Sequence, residues 1–593
     1  MKIILIEPKA PGRHVYSAVT MPRLGLPILG TQLKEIGHEV KFIYGSSRDI
    51  HLSDIEGADI VGISATTSTA REAYHLADII RNKGIRVVMG GPHVSFLTEE
   101  ALAHSDYVCR GEAEVSFIEL VKCLEKNQTP AQVAGVSWHS GNELVHNPDA
   151  AATELNRVPI PDLSIFDDFN KMTTYPVMTS RGCPFDCTFC SVTAMFGHKI
   201  RLREIDLVLE ELEQYAGKQV FFCDDNFTAN PRRTKTLLQE MIKRKISPKW
   251  WCAQVRTDAA QDEELLQLMK AAGCGMVFVG MESINPQTLL SYNKKQGVVD
   301  IEFCIKKFHQ YGIMLHGMFV FGSDDDTPQT IRDTAKFALK NRIDTVQFMV
   351  LTPLPGSRTY KEMEASGRLL TRDWNLYDAH NVVFEPNLML ASTLQEETIR
   401  AFKKFYGLRS LGQNLFTTGW RSVLFKAAGY WMTRKWDAEN AWYYKVLREK
   451  LAAGHLADDK LARTVKTVNW EHLQYISVKK LLDIDLFAQD GNFRMDLKGC
   501  LDRFTMKEII RSVKKLVPCH FEKLVINVDK LSFASESILF QFIEEVNQVA
   551  QKAKNVSLEI SRDNKILREL LADYDLRIPL FDIRFMGNDL PVQ

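Results

Sequence analysis

The chain has 593 residues, which is too long for a single hydrophobic core and predicts three or four domains. Lysine plus arginine and aspartate plus glutamate both number 74, so the net charge gives no indication of a nucleic-acid partner. No apolar run approaches the roughly 18 residues of a membrane span, and the apolar run at the N-terminus is shorter than the about 7–15 residues of a signal peptide. The 11 cysteines show no paired framework and favour a reducing cytoplasm.

Residues 1–150 alternate short buried-strand runs with helical stretches, which predicts a doubly wound, Rossmann-like parallel sheet. Helices are expected over 26–36, 69–82 and 114–125. The strand candidates are Lys2–Ile6, Val40–Tyr44, Ile60–Ser64, Val87–Met89 and Tyr107–Cys109.

Small residues and glycines collect at the predicted carboxyl ends of these strands, where such sheets bind ligands and where a flat, bulky ligand could approach the backbone. The segments are Glu7-Pro8, Ser64-Ala65-Thr66-Thr67, Gly90-Gly91-Pro92-His93 and Arg110-Gly111-Glu112. With Leu24-Gly25-Leu26 upstream, their order resembles the cobalamin-binding domains that are fused to radical S-adenosylmethionine enzymes. The resemblance implies that Ser64, Thr66, Gly90, Gly91 and His93 contact cobalamin. No Asp-x-His-x-x-Gly motif offers a lower axial ligand, and His93 could instead support its loop.

A linker is expected over 151–169, and a strand candidate at Tyr175–Thr179 then leads into a loop with three cysteines spaced C-x3-C-x2-C, namely Cys183, Cys187 and Cys190. Barrels of α/β type keep their chemistry on loops that leave strand ends. Three thiolates can bind one inorganic centre and leave a coordination position open. The alternatives are a zinc site, which usually takes four ligands and lacks a matching second pair here, or three unrelated thiols.

This spacing, with the aromatic Phe189 before the last cysteine, looks like the signature of radical S-adenosylmethionine enzymes. The resemblance implies that the three cysteines hold three irons of a [4Fe-4S] cluster and that the fourth iron binds the amino and carboxylate groups of S-adenosylmethionine. An electron donor such as flavodoxin or ferredoxin would reduce the cluster, and one electron from the cluster would then cleave the sulfonium to give a 5′-deoxyadenosyl radical.

Residues 170–390 contain six strand–helix alternations, which agrees with the partial (β/α)6, TIM-like barrel of that family. The strand candidates are Tyr175–Thr179, Gln219–Cys223, Trp250–Val255, Met276–Gly280, Met314–Phe321 and Thr345–Leu351. The helix candidates are 207–215, 232–244, 262–272, 299–310 and 327–340.

Polar residues follow several of these strands, as a site for a zwitterionic nucleoside requires. By resemblance, Glu282 contacts the ribose and the Asp224-Asp225 segment lines the methionine side. Arg256 is a candidate for binding the carboxylate. For each of these residues, capping of a neighbouring helix is an equally good interpretation.

The stretch after the barrel resembles the one that covers the barrel mouth in magnesium-protoporphyrin-cyclase-like and hopanoid-methylase-like enzymes. It makes Trp374, Tyr377 and His380 candidate substrate contacts, although a structural histidine is an open alternative for His380. Residues 391–469 are expected to be helical, with basic residues interleaved with tryptophans and tyrosines. They could rest on the inner face of an anionic membrane or simply cap the barrel.

Residues 470–593 begin a new α/β pattern that loosely resembles a small sulfate-transporter and anti-sigma-antagonist (STAS) domain. Its strand candidates are Phe493–Lys498, Leu524–Val528 and Val556–Ile560. Its helix candidates are 506–516, 537–553 and 564–572. Glu536 occupies the position of the phosphorylatable serine, so a phosphorylation switch is not expected, and a protein-interaction role is inferred.

Together these resemblances imply a cobalamin-dependent radical S-adenosylmethionine enzyme that modifies, by methylation, an unactivated carbon of a small-molecule or lipid-like substrate. A non-methylating radical cyclase or carbon–carbon coupling enzyme is the alternative within the family. A cobalamin- or redox-sensing regulator is the alternative from another class. The sequence does not identify the substrate.

Overall fold

A computed structural model of the chain describes residues 1–9, 21–46, 50, 52–408, 410, 420–453, 482–489, 492–501, 523–533, 542, 546, 556–561 and 582–586. The chain divides into two compact units. The first comprises 1–46, 55–369 and 374–439, and the second comprises 47–54, 370–373 and 440–593.

The first unit opens with a seven-stranded sheet. Its strands are β1 (Lys2–Pro8), β2 (Glu39–Gly45), β3 (Ile60–Ser64), β4 (Arg86–Gly90), β5 (Tyr107–Cys109), β6 (Val136–Ser140) and β7 (Glu143–His146). They lie in the order β2-β1-β3-β4-β5-β6-β7, with the first five parallel and the last two antiparallel. The doubly wound α/β prediction is confirmed, and the sheet has two antiparallel strands that the sequence pattern did not predict.

The apolar runs of β1 and β3 are almost completely buried, as parallel strands covered on both faces require. The helices of this region use their apolar sides to complete that core, and α3 has Ala73, Leu76, Ala77 and Ile80 buried along one side. The helices are α1 (Gly25–Glu35), α2 (Leu52–Ile55), α3 (Ala70–Arg81), α4 (Pro92–Phe96), α5 (Thr98–Leu102) and α6 (Ser116–Glu125).

The second sheet of this unit is a six-stranded, all-parallel partial barrel. Its strands are β8 (Thr174–Val177), β11 (Gln219–Phe222), β12 (Trp250–Val255), β13 (Cys274–Glu282), β14 (Met314–Phe321) and β15 (Thr345–Val350). Neighbours in sequence are neighbours in space, from β8 to β15. Two short antiparallel strands, β9 (Ser180–Arg181) and β10 (Arg201–Leu202), form a hairpin after β8. The predicted partial barrel is therefore observed.

Helices follow the barrel strands, and several begin with an asparagine, aspartate, serine or threonine side chain that accepts a hydrogen bond from the first turn. The helices are α7 (Val192–Phe196), α8 (Ile205–Glu213), α9 (Pro231–Lys243), α10 (Glu263–Ala271), α11 (Pro286–Ser291), α12 (Val298–Gln310), α13 (Pro328–Lys340), α14 (Arg358–Ala365), α15 (Ala391–Phe405) and α16 (Trp420–Ala453).

The two faces of the barrel strands differ in composition and burial. The outer face is aliphatic and aromatic and fully buried, with Val220, Ala253, Val277, Leu315 and Val346 in neighbouring strands. The opposite face lines the lumen, and five of its side chains stay half-buried: Phe221, Gln254, Phe278, Met318 and Met349. Side chains therefore do not fill the lumen as they fill the outer core.

The second unit contains a five-stranded sheet. Its strands are β16 (Leu482–Gln489), β17 (Asn492–Leu501), β18 (Lys523–Phe533), β19 (Val556–Ser561) and β20 (Asp582–Met586). They are ordered β16 to β20, and only the β16–β17 pair is antiparallel. The three strand candidates of this region fall within β17, β18 and β19. The predicted helices at 506–516, 537–553 and 564–572, and the segment around Glu536, lie outside the described residues except for two helical positions, 542 and 546.

Candidate active site

The cysteine loop, residues 182–200, connects β9 to β10 at the carboxyl end of the barrel. It is anchored to two later segments. The Thr188 N–H donates to the Tyr292 carbonyl at 3.2 Å, and the Thr359 N–H donates to the Thr188 carbonyl at 3.2 Å. Arg358 forms an ion pair with Asp186 at 3.0 Å. The loop is therefore held by the residue after α11 and by the first turn of α14, the helices that follow β13 and β15.

All three loop cysteines are half-buried. Burial raises the pKa of Cys183 and Cys187, and it raises the pKa of Cys190 to about 12. Backbone N–H groups of Phe185 and Val192 point at the sulfurs of Cys183 and Cys190 and partly offset this effect. The loop thus offers hydrogen bonds to thiolate sulfurs once iron has displaced the protons, which suits an iron–sulfur cluster.

The described residues contain no group of three or more histidine, cysteine, aspartate or glutamate side chains gathered tightly enough to hold one metal ion. A cubane cluster does not need such convergence, because each cysteine binds a different iron. The three thiols on one anchored loop therefore fit the cluster that the sequence motif implies. Phe189 helps to fix that loop, since its ring packs edge-on against Tyr292 with ring centroids 5.0 Å apart.

Asp224 and Asp225 follow β11 and have different surroundings. Asp224 is fully buried, and its carboxylate accepts hydrogen bonds from the Thr179 N–H at 3.2 Å, the Thr179 hydroxyl at 2.9 Å and the Ser180 hydroxyl. Asp225 accepts the Gly182 N–H and lies near enough to Cys183 and Cys190 to raise their pKa. Asp225 therefore lies beside the cysteines, whereas the oxygens of Asp224 join the segment after β8 to the end of β11. The methionine-side role of this segment stays a prediction.

These two neighbours provide a matched experiment. We expect Asp224→Asn to lower the free energy of unfolding by about 1–3 kcal/mol, because the amide nitrogen cannot accept the hydrogen bonds that the carboxylate accepts. We expect Asp225→Asn to keep the thermal midpoint within about 2 °C of wild type. The same change should raise the KM for S-adenosylmethionine about tenfold, because a charged acceptor at the cysteine loop is lost. Scanning fluorimetry and 5′-deoxyadenosine formation measure the two effects. An unchanged KM for S-adenosylmethionine in Asp225→Asn would exclude a role of this carboxylate in binding S-adenosylmethionine.

Arg256 follows β12 and lies directly over the cysteine loop. Its guanidinium carbon is 3.7 Å from the ring centroid of Phe185, between Cys183 and Cys187 in sequence. The side chain is only 8% exposed, and its Nε–H has no hydrogen-bond partner among the described residues. Asp258, at 3.8 Å, is too distant to satisfy it. A buried guanidinium with an unsatisfied donor suits a carboxylate ligand.

Glu282 ends β13 in a left-handed conformation, with φ of 59°, at a point where the β13–β14 register shifts. A non-glycine residue held there is strained, and such strain concentrates at functional sites. Its carboxylate pairs with the Lys294 ammonium at 2.7 Å, and both side chains are buried. A Cβ at Gly280 would lie 2.5 Å from the Glu282 carboxylate, so glycine is needed for the pair to pack over the strand. Both charges affect the pKa of Cys187, which Lys294 lowers and Glu282 raises.

The edge formed by the carboxyl ends of β3 and β4 carries small, partly exposed residues. Gly91 has φ of 98°, and a Cβ there would lie 2.7 Å from the Ala65 carbonyl. The Ala65 N–H donates to the Gly90 carbonyl at 2.9 Å, which ties the two strand ends together. Ser64, Thr66, Gly90 and Gly91 are half-buried along this edge. No bulky side chain among these four blocks it, which suits a flat macrocycle such as cobalamin.

His93 lies behind that edge, not on it. Its side chain is fully buried, with Nδ1 3.3 Å from the Thr67 hydroxyl and Nε2 3.7 Å from the Glu100 carboxylate. Trp374 packs edge-on against the His93 ring and donates its Nε1–H to Glu100 at 2.7 Å. Because both ring nitrogens face protein groups, this placement favours the loop-supporting alternative for His93, and its contact with cobalamin stays a prediction.

The three aromatic residues predicted to contact substrate are all buried. Trp374 joins the first sheet's loops to the segment after the barrel, and Tyr377 packs against it with ring centroids 4.8 Å apart. His380 lies between Phe402 and Trp436, and burial lowers the pKa of its imidazole. A buried, neutral histidine among aromatic rings favours the structural alternative for His380. The substrate contacts of Trp374, Tyr377 and His380 stay predictions.

Sequence reasoning missed Lys294 and Arg358. Lys294 meets Glu282 only because the short helix α11 turns the chain back on itself, and Arg358 meets the cysteine loop from the opposite side of the barrel. The sequence separations between Glu282 and Lys294 and between the cysteine loop and Arg358 do not match the repeat of a helix or a strand. The one available signal was the proline at the start of α11, which predicts a tight strand–helix connection near Glu282.

Two family models match the chain. The "Radical SAM superfamily" model matches residues 177–338, and the "B12 binding domain" model matches residues 15–121. The first match contains the cysteine loop, Asp225, Arg256, Glu282 and Lys294. The second contains the glycine-rich edge of the first sheet.

Curated relatives align over most of their length. An uncharacterized methyltransferase of Pyrococcus horikoshii is 35% identical over 68% of this chain and 92% of that protein. A bacteriochlorophyllide d C-12(1)-methyltransferase of Chlorobaculum tepidum is 30% identical over 68% of this chain and 87% of that protein. Among solved structures, the cobalamin-dependent S-adenosylmethionine radical enzyme OxsB with aqua-cobalamin bound superposes with a TM-score of 0.57 at 15% identity, covering 97% of this chain and 81% of that one. The fold is therefore shared with OxsB.

Proposed function

The chain belongs to the radical SAM superfamily, in the group that carries a B12-binding domain, and we propose that it methylates an unactivated carbon of a small-molecule or lipid-like substrate. It is a radical SAM enzyme whose cofactors are a [4Fe-4S] cluster, S-adenosylmethionine and cobalamin. When bound, the cluster and S-adenosylmethionine supply the 5′-deoxyadenosyl radical that abstracts hydrogen, and cobalamin supplies the methyl group.

One observation carries the proposal: the cysteine loop, Asp225, Arg256 and the Glu282–Lys294 pair meet at the carboxyl end of one barrel. Cys183, Cys187 and Cys190 would hold the cluster. Arg256 would bind the methionine carboxylate, Asp225 the methionine amino group, and Glu282 the ribose hydroxyls. Lys294 would orient Glu282 through their ion pair. Two methyltransferase relatives favour methyl transfer over the other radical reactions of the family.

The lumen indicates the kind of substrate surface that this barrel accepts. Its half-buried side chains are mostly aromatic or thioether, with Phe221 and Phe278 in edge-on contact at 5.6 Å. Its polar members include Gln254, His316, Thr345 and Gln347. Burial lowers the pKa of His316 to about 4, so that imidazole is neutral at pH 7. A carbon skeleton with few charges fits such a lining.

The proposal is tested on the full chain, reconstituted anaerobically with iron, sulfide and hydroxocobalamin. Iron and cobalamin are quantified, and dithionite and S-adenosylmethionine are then added. About four irons and one cobalamin per chain, with 5′-deoxyadenosine and S-adenosylhomocysteine as products, are expected. 5′-Deoxyadenosine without S-adenosylhomocysteine would indicate a cyclase or coupling enzyme. Both cofactors without turnover would indicate a sensing regulator.

Other assignments are part of the same proposal. We infer that the chain acts in the cytoplasm with a flavodoxin- or ferredoxin-like electron donor. Two long-range strand pairs, β17–β18 and β18–β19, support a small STAS-like α/β domain at 470–593 with a protein-interaction role. Mixing the chain with reduced flavodoxin in place of dithionite tests the donor, since no 5′-deoxyadenosine would then form if the assignment is wrong.

We also propose that α16 rests on an anionic membrane surface. Within 422–439, its protein-facing positions include Ser422, Lys426 and Thr433, and burial lowers the pKa of Lys426 to about 8. Its outer positions Leu424 and Phe425 are 59% and 39% exposed. The apolar side of this helix thus faces outwards. No helix in the described ranges has the length and hydropathy to cross a membrane.

Cations border this exposed surface. Arg434 lies over the Tyr430 ring at 3.5 Å and Lys435 over the Trp431 ring at 4.8 Å, with Trp431 itself 58% exposed. Exposed leucine and aromatic side chains flanked by basic residues suit the interface of anionic lipids.

We expect the full chain to sediment with phosphatidylglycerol vesicles and not with phosphatidylcholine vesicles. The double variant Leu424→Ser/Phe425→Ser should reduce the bound fraction about tenfold, because buried apolar area supplies much of the binding energy. The variant Ile242→Ser, which changes a residue on α9 that is as exposed as Phe425, is the control and should bind as wild type. If the double variant and the Ile242→Ser control bound phosphatidylglycerol vesicles to the same fraction, the membrane assignment would be contradicted.

A further inference from the structure

Four charged side chains connect the loop after β5 to both ends of the cysteine loop. Glu112 and Glu114 come from the first sheet, and Arg181 and Arg201 come from β9 and β10. Together they are called the charge clamp. None of the four is used by the proposed chemistry, although Glu112 lies in the strand-end segment that the sequence pattern singled out.

The contacts within the charge clamp are short and interlocked. Arg181 bridges both acids, with Nη1 3.3 Å from Glu112 and Nη2 2.5 Å from Glu114. Arg201 donates through Nη1 to Glu112 at 2.8 Å and also pairs with it through Nη2. Thr153 completes the arrangement, because its N–H donates to Glu112 at 2.7 Å and its hydroxyl donates to Glu114 at 3.2 Å.

The charge clamp is buried, and its arginines favour the charged form of Glu112. Its side chains are at most 17% exposed. Burial alone would raise the pKa of Glu112, but the hydrogen bond from Arg201 and the charge of Arg181 hold that pKa below its usual range. Two carboxylates and two guanidinium groups balance in charge. Removing one member leaves a buried charge without its partner, which is far more disruptive than losing a surface ion pair.

The position of the two arginines connects the charge clamp to both ends of the cysteine loop. Arg181 and Arg201 are directly paired residues of the β9–β10 hairpin, so they stand at the two ends of the cysteine loop. Gly182 follows with φ of 85°, where a Cβ would lie 2.9 Å from the Lys199 carbonyl, and its N–H donates to Asp225. Cys183 is the next residue. A shift of Arg181 therefore moves the first cluster ligand and the Asp225 contact together.

We propose that the charge clamp is a positioning device that fixes the cysteine loop against the carboxyl edge of the first sheet. It thereby sets the separation between the iron–sulfur cluster and the cobalamin. The statement about the two cofactors rests on the proposed function, whereas the statement about the loop does not. The clamp residues are positioning residues, since none of them is placed in contact with substrate or cofactor.

The loop statement is tested by hydrogen exchange on the full chain without cofactors. In Glu114→Gln and Arg181→Met, amides of 182–200 should exchange about tenfold faster, because the loop opens more often once its ends are released. Amides of β1 and β3 should be unchanged. In Arg181→Lys, these amides should exchange at a rate between those of Arg181→Met and wild type. The lysine ammonium keeps the positive charge but cannot bind two carboxylates in the way the forked guanidinium does. Glu240→Gln, which removes a surface carboxylate beside Arg244, is the control. Wild-type exchange in Arg181→Met would overturn the proposal.

The cofactor statement is tested by pulsed electron paramagnetic resonance between the reduced cluster and cob(II)alamin. The distance distribution should broaden in Glu114→Gln and Arg181→Met, and S-adenosylhomocysteine should fall relative to 5′-deoxyadenosine. Simple destabilisation would lower both products in proportion. An unchanged distance distribution and product ratio would overturn the cofactor statement. If the wild-type chain bound no cobalamin, the proposed function would fail, and hydrogen exchange alone would then decide the role of the clamp.

Discussion

Replacing any one of Cys183, Cys187 and Cys190 by alanine is expected to abolish cleavage of S-adenosylmethionine. A cubane cluster with two protein thiolates loses one iron's ligand, and the loop itself contains no fourth cysteine. Bound iron should fall from about four per chain to below about one. 5′-Deoxyadenosine should fall by more than about a thousandfold, since the electron source is lost.

The control for the cysteine variants is Cys123→Ala, at a half-buried thiol on α6 outside the barrel. It should keep wild-type iron content and product formation. Cobalamin binding should persist in all four variants, because the carboxyl edge of β3 and β4 does not involve these thiols. An alanine variant of Cys183, Cys187 or Cys190 that kept four irons and cleaved S-adenosylmethionine would overturn the assignment of the loop.

The second large effect is expected at Arg256. Arg256→Met should lower kcat/KM for S-adenosylmethionine about a hundredfold, which corresponds to about 3 kcal/mol of lost transition-state stabilisation. The reason is that methionine keeps the apolar contact with Phe185 and removes the donors for the carboxylate. Arg256→Lys should lower kcat/KM for S-adenosylmethionine about tenfold, because an ammonium retains the charge and lacks the bidentate geometry.

Two measurements separate this role of Arg256 from a structural one. Iron content and the absorbance of the cluster should be unchanged in Arg256→Met, so a proportional loss of iron would assign Arg256 to holding the loop. The matched control is Arg244→Met, which removes a surface guanidinium at the end of α9 and should retain wild-type kinetics. Wild-type kcat/KM in Arg256→Met would exclude a carboxylate-binding role.

The sequence predicted those strands and site residues that are marked by a pattern within a few consecutive residues. The parallel strands of both sheets were found because each is a short, nearly continuous apolar run, such as Ile3–Ile6. Strands β6 and β7 were missed because Ser137, His139 and Glu143 interrupt their apolar pattern. The three cysteines were found because their spacing lies within one loop.

Contacts between distant segments could not be predicted in the same way. His93 and Trp374 looked like ligands because they are polar or aromatic residues near predicted strand ends. They are buried because they meet each other and Glu100 across 281 residues of sequence. Lys294 is part of the site for the same reason, since only the fold brings it to Glu282. Composition and periodicity carry no information about such pairings.

The closed hairpin at the base of the cysteine loop has a consequence for how the enzyme survives oxygen. In small zinc-binding domains the metal supplies the folding free energy, so losing the metal unfolds the chain. Here the pairing of β9 with β10 and the anchors at Tyr292 and Arg358 consist of protein–protein contacts alone. We therefore expect a chain that has lost its iron to keep the cysteine loop anchored, so that a new cluster can be built into it without refolding of the chain.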